Sequence, residues 1–265
     1  MNYCDSGDLN NYLANKFYDI SWNEKLWIVN DIVDGLVNIH KLNIIHRDLH
    51  SGNILLNSAN IMSKCSKEAV LCDLGISKSA LESTEDKIYG IINYMDPEVF
   101  KNRTYTIASD IYSLGMVMWE LMTGRRPFWD RVHDDDDELI LEICDGLRPP
   151  IVTNAPKGYI ELMKECWHSD PEKRPKAIEI RKKLKEIKKG EWDTTTKIIK
   201  SLDIGPVDSE TIYKSRCLSD IIPMSLRSQS TTSEFDSASF QEKDKRKYEN
   251  NCENDYKSED LNFDI

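Results

Sequence analysis

Apolar positions along residues 1–190 recur at helical or strand periods, separated by short polar turns. Ser21 followed by Glu24 is a capping box, and Trp22, Leu26, Val29, Val33 and Leu36 repeat at spacings of four, three, four and three. That pattern predicts an amphipathic helix from Ser21 to about His40. Ile44-Ile45 is a short apolar, β-rich piece, and after a polar loop Ile54-Leu55-Leu56 reads as a brief strand. Ala69–Cys72 is its expected hairpin partner across the polar connection 57–68. From Ala108 to Met122 the residues are apolar nearly all round, with Gly124 just past the end, which predicts a central buried helix carrying Asp110 in its first turn. Further helical patterns follow at about 135–145, 158–167 and 175–188, the last opening after Pro175. The expected body is mainly α with one small hairpin.

Residues 191–265 show no sustained period, and from Ser225 onward Ser, Thr, Asp, Glu, Lys and Asn dominate. This stretch reads as a mostly disordered acidic, Ser-rich tail, either a solvated appendage or a regulatory segment carrying phosphorylation sites. Lysine plus arginine number 35 against 46 aspartates plus glutamates, a net charge of −11. A partner bound through its phosphates, whether nucleic acid or an anionic membrane, is therefore not expected. No apolar run approaches the ~20 residues of a spanning helix, and Met1-Asn2-Tyr3-Cys4-Asp5 has no leader character. The expectation is a soluble, cytoplasmic protein. Its seven cysteines include no Cys-x-x-Cys pair, which fits reduced thiols better than disulfides or a zinc site.

The loop between the first helix and the hairpin reads His46-Arg47-Asp48-Leu49-His50-Ser51-Gly52-Asn53. Asp73-Leu74-Gly75 follows, and then Asp96-Pro97-Glu98. In that order and at those separations they resemble the H-R-D-x-x-x-x-N, D-F-G and A-P-E signatures of the eukaryotic protein-kinase family, with Leu74 in place of phenylalanine and Asp96 in place of alanine. Ser109–Gly115, Glu120–Phe128 and Lys173-Arg174-Pro175 extend the resemblance, which covers about residues 1–190.

The resemblance implies roles residue by residue. Asp48 accepts the proton of the substrate hydroxyl, and Asn53 and Asp73 hold magnesium on ATP. His50 stands where Ser/Thr kinases carry a lysine that meets the transferred phosphate, and Ile91 where many of them carry a threonine. Asp110 holds the catalytic-loop backbone, and Arg174 pairs with Glu98. Residues 1–9 look like the hinge that binds adenine, with Asn2 and Cys4 offering backbone groups, Asp8 reaching the ribose and Leu55 forming the floor. Cys4 as a small buried thiol and Asp8 as a helix N-cap are the alternatives. Arg47 would pair with a phosphate on the activation segment, for which Ser83 and Thr84 are the expected acceptors.

The implied fold is a protein-kinase-like large lobe with the small β-rich lobe absent. No two of the eleven glycines lie two positions apart, so no G-x-G-x-x-G phosphate loop exists anywhere in the sequence. The expected function is transfer of the ATP γ-phosphate to protein Ser/Thr hydroxyls, incomplete without that lobe. The alternative is a pseudokinase-type binding or scaffolding module. The acidic run Asp134–Glu138 reads as the first turn of a solvated helix, or as a docking surface for basic substrates.

Overall fold

A computed structural model of the chain describes residues 7–58, 67–79, 87–131, 136–206, 215–219, 221–223 and 226, all within the unit 1–230. Asp8 caps helix α1 (Leu9–Lys16), which buries only Leu9 and Leu13, one turn apart. Ser21 accepts the Glu24 amide and opens α2 (Trp22–Lys41), whose predicted stripe is buried and widened by Ile28, Ile32 and Val37. Strand β1 (Ile44–Ile45) follows, then β2 (Ile54–Ser58), antiparallel to β3 (Lys67–Leu71) with Ile54 opposite Leu71 and Ser58 opposite Lys67. Strand β4 (Lys78–Ser79) returns to pair with β1. The chain then runs through β5 (Tyr89–Gly90) into α3 (Pro97–Asn102), which Asp96 caps by accepting the Val99 amide.

Helix α4 (Ile107–Thr123) is buried on nearly every side, as its composition predicts. Gly124 ends it at φ 73°, and a Cβ there would stand 2.6 Å from the Phe17 ring, so both conformation and space require glycine. Helices α5 (Asp136–Cys144), α6 (Tyr159–Cys166) and α7 (Ala177–Asp193) complete the body. α2 packs on α7 and β3, α4 on α6, and α3 on α5. Asp136, Asp137 and Glu138 form the first turn of α5, where the helix dipole favours carboxylates. Among the described residues no helix is long and apolar enough to cross a membrane.

α7 continues to Asp193, and parts of the following chain dock on the body. Tyr18 donates to the Ile204 carbonyl, the Gly205 amide donates to the Thr123 carbonyl, and Ile204 is buried. Further on, strand β6 (Arg216–Cys217) pairs with β5, and Leu218 and Ile222 are buried. Single anchors of this kind fill separate niches and leave no hydrophobic period for the sequence to show.

Lys25 is fully buried beneath the Phe17 ring, with its Nζ 3.8 Å from the ring centroid and no hydrogen-bond partner among the described residues. Burial pulls its pKa from 10.5 down to about 7. The unfolded chain therefore holds more protons between those values, and stability rises with pH across this window, by about 2–3 kcal/mol between pH 6 and 9. Lys25→Met is expected to stabilise the protein more at pH 6 than at pH 9. Urea unfolding at both pH values checks this, and an equal effect at the two would refute it.

Candidate active site

The catalytic loop is held from beneath by the first turn of α4. Asp110 is buried there, and its Oδ2 accepts the His46 amide at 2.8 Å and lies 2.9 Å from His40 Nε2. Its Oδ1 accepts the Arg47 amide at 3.0 Å. Arg47 has φ 74°, a left-handed conformation uncommon for a side-chain-bearing residue, and the Asp110 bonds bracket it. Nearly three turns further along the same helix, Glu120 accepts the Ser51 hydroxyl and the Tyr94 hydroxyl, each at 2.8 Å. Burial pushes the Glu120 carboxyl up against the opposing pull of those hydroxyls. α4 thus grips both ends of the loop and ties its far end to Tyr94.

His46 joins the loop to the end of β3. Its Nδ1 lies 3.4 Å from the Asp48 amide and its Nε2 3.1 Å from the Cys72 carbonyl, so the network assigns the proton to Nε2. Cys72 donates its amide to the Asn53 carbonyl at 3.0 Å, which sets Asp73 beside Asn53. Asp73 is exposed, stands at φ 58° and accepts the Gly75 amide at 3.2 Å. The Asn53 side-chain NH2 is committed to Asp48, at 2.9 Å to its carbonyl and 3.3 Å to Oδ2. Asn53 Oδ1 and the Asp73 carboxylate are the oxygens here that could hold a metal ion. Such a set, hard oxygens with room for waters, fits magnesium carried on phosphates.

Asp48 is buried beside these groups. Burial pushes its carboxyl up, but the hydrogen bond and charge of His50, then the Ser215 hydroxyl and His46, outweigh it and hold the pKa below the usual carboxylate value. His50 Nδ1 accepts the Gly52 amide at 3.1 Å, which puts the ring proton on Nε2, 3.7 Å from Asp48 Oδ2. The imidazole therefore faces the carboxylate and favours its ionised form.

Asp8 and Leu55 face each other in a backbone bridge, and the Leu56 amide donates to the Gly7 carbonyl at 2.9 Å. Both Asp8 oxygens are engaged by Asn11, at 2.7 and 2.8 Å, the capping arrangement that the sequence left beside the ribose role. Asn2, Cys4, Ser83 and Thr84 lie outside the described residues. Arg47 stacks 5.1 Å from the Tyr105 ring and lines a cleft of about 320 Å³ with Lys78, Lys87 and Tyr89.

The family model described as protein tyrosine and serine/threonine kinase matches residues 1–184. The chain belongs to the protein-kinase family. It is 36% identical over 193 residues to the probable serine/threonine-protein kinase roco8 of Dictyostelium discoideum, a match over 71% of this chain and 10% of the relative. It is also 36% identical over 197 residues to the probable serine/threonine-protein kinase roco5, over 69% of this chain and 7% of that protein. Cyclic GMP-binding protein C of the same organism matches at 36% over 194 residues, 71% of this chain and 7% of the relative. The chain thus spans a tenth or less of the length of these relatives.

Two supports of this kinase-family site escaped the sequence. His40 is a direct partner of Asp110, and Glu120 sits within an otherwise apolar helix as the anchor of Ser51. A glutamate in the buried face of a helix is the signal that was available for the second, because a buried charge needs partners.

Proposed function

We propose that the chain carries the catalytic and metal-binding loops of an ATP-dependent protein kinase acting on serine and threonine hydroxyls. The observation that carries this reading is the side-by-side setting of Asp48, Asn53 and Asp73, with Asp48 held in its ionised, proton-accepting form. In this reading Asp48 orients the acceptor hydroxyl and takes its proton, while Asn53 Oδ1 and Asp73 hold magnesium. The metal, when bound with nucleotide, neutralises charge that develops on the phosphates. Adenine lies against the hinge beside Leu55, and His50 keeps the base charged. The serine/threonine preference rests on the names of the relatives. A phosphate on the activation segment, at Ser83 or Thr84, would be received by Arg47, Lys78 and Lys87 in their shared cleft.

The sequence contains no G-x-G-x-x-G loop to cover the phosphates. Transfer depends on positioning and charge, so these 265 residues by themselves are expected to bind nucleotide weakly and transfer slowly. Titration calorimetry of ATP with and without magnesium tests the assignment. Binding should be weaker than low micromolar, depend on magnesium, and vanish in Asp73→Ala. Magnesium-independent binding unaffected by Asp73→Ala would sink the metal assignment and favour the pseudokinase-type module.

A further inference from the structure

The end of α2, the starts of α4 and α7 and the turn before α7 line a cavity of about 630 Å³ that no step of the proposed phosphate transfer uses. Val37, Ile111, Pro175 and Ile178 give it an apolar wall. His40 belongs to the same wall, with a side chain only 8% exposed and its Nε2 committed to Asp110 at 2.9 Å. Its Nδ1 is buried and has no hydrogen-bond partner among the described residues. Such an atom is uncommon, and one set in a cavity wall is accounted for by a partner that the cavity receives. The charges around the cavity are mostly positive. Lys41 and Lys176 line it, both exposed and neither in an ion pair among the described residues, against one carboxylate, Glu172. Arg174 also lines it but is spent on Glu98 and Asp96. Ile107 and Ala108 open α4, and Ala177 and Ile178 open α7, so two sets of first-turn amides without an acceptor in their own helix meet at one cavity. The opposing end of α2 is muted, because the His40 carbonyl accepts the Asn43 amide at 3.0 Å and Lys41 sits in that last turn.

The volume lies within the about 300–1,000 Å³ of small-molecule sites, the wall suits an apolar body, and the lysines and helix starts select an anion. We propose that this cavity binds a small amphiphilic carboxylate and that its occupant steadies the catalytic loop through His40 and Asp110. The apolar body lies against Val37, Ile111 and Ile178. The carboxylate is held by Lys41, Lys176 and the first-turn amides, and it gives His40 Nδ1 the partner that it lacks, since an imidazole protonated at both nitrogens donates on both sides. A ring bonded at both nitrogens is fixed in the orientation that its bond to Asp110 requires. Asp110 in turn holds the His46 and Arg47 amides, so occupancy of the cavity and order of the loop are coupled. The coupling is reciprocal, and a loop already ordered binds the carboxylate more tightly.

The test titrates the full 265-residue chain with octanoate, with 1-octanol as its uncharged counterpart, and follows the heat of binding together with the His40 ring nitrogens by NMR. Octanoate should bind saturably, a single molecule per chain, more tightly than 1-octanol, and should move the His40 Nδ1 resonance. Lys41→Glu combined with Lys176→Glu, both at exposed positions, should weaken octanoate by about tenfold and leave 1-octanol unchanged. Ile178→Trp, which fills the cavity, should remove both ligands; the lysine pair changes no buried residue and keeps the site testable if the tryptophan variant fails to fold. Bound octanoate should also slow hydrogen exchange at the His46 and Arg47 amides. Equal affinity for octanoate and 1-octanol, octanoate binding indifferent to the lysine pair, an unmoved His40 resonance, or no binding at millimolar octanoate each overturns the site. Unchanged exchange at the two amides with octanoate bound overturns its effect on the loop.

Discussion

Replacing Arg174 by methionine is expected to cost about 3–5 kcal/mol of stability, because it leaves buried carboxylates without their counter-charge. Arg174 is enclosed, with Nη2 on both oxygens of Glu98 at 3.0 and 2.8 Å. Nη1 meets Asp96 at 3.3 Å and the Ala108 carbonyl at 3.0 Å, and Nε donates to the His168 carbonyl at 2.8 Å. One guanidinium therefore ties the start of α3, the start of α4 and the turn before α7. A loss of that size is a large part of a typical domain's stability, about 5–15 kcal/mol, and should lower the melting temperature by about 10 °C. Arg174→Lys should recover little, since a single ammonium cannot reproduce the fork. Burial and then the neighbouring Glu98 raise the Asp96 pKa to about 7 even with Arg174 present. Asp96 is thus more readily protonated in the folded chain, and the deficit of Arg174→Met should shrink as pH falls. Urea unfolding of both variants at neutral and acid pH measures this, and a full recovery in Arg174→Lys would remove the argument.

The parts of the fold that were legible in sequence are those that bury a face of their own. α2, α4, α6 and α7 each carry enough apolar residues at helical spacing to be located within a few residues, and the β2–β3 hairpin follows from two short apolar runs. α1 was not legible. It has only Leu9 and Leu13 to bury among asparagines, and it holds its place by the Asp8 cap and by packing near the catalytic loop. α3, six residues long, is too short for a period and depends on Asp96 and Pro97 at its start. The docked residues Ile204, Leu218 and Ile222 were invisible for a related reason: each is a lone apolar residue in a polar stretch, and what stabilises it is a niche on another part of the chain.

The candidate site divides in the same way. Asp48, Asn53 and Asp73 were legible because their spacing is a local property of two loops, and the structure brings those loops together through Cys72 and Asn53. Their electrostatic setting was not. That His50 faces Asp48 is a consequence of tertiary packing.

Asp110 is where the fold's stability and the proposed chemistry meet, and Asp110→Ala is expected to lower stability by about 3 kcal/mol and phosphate transfer by about a hundredfold or more. Three groups lean on this carboxylate, namely the His46 and Arg47 amides and the His40 ring. Arg47 in its left-handed conformation costs about 1–3 kcal/mol, and the two amide bonds are what hold it there. Released, the loop relaxes toward ordinary backbone angles, and Asp48, the residue after Arg47, moves with it. Asp110→Asn separates charge from shape. Its oxygen can still serve His46 and His40, but its NH2 then meets the Arg47 amide donor to donor, so it should behave nearly as badly as alanine. His40→Ala removes only one support and should cost far less. Hydrogen exchange at the His46 and Arg47 amides, read alongside labelling of casein as a generic acceptor, follows both halves of the effect. If Asp110→Asn kept wild-type exchange protection and transfer rate, the carboxylate would be a packing feature of α4 and the loop would owe its geometry to Glu120 and Ser51.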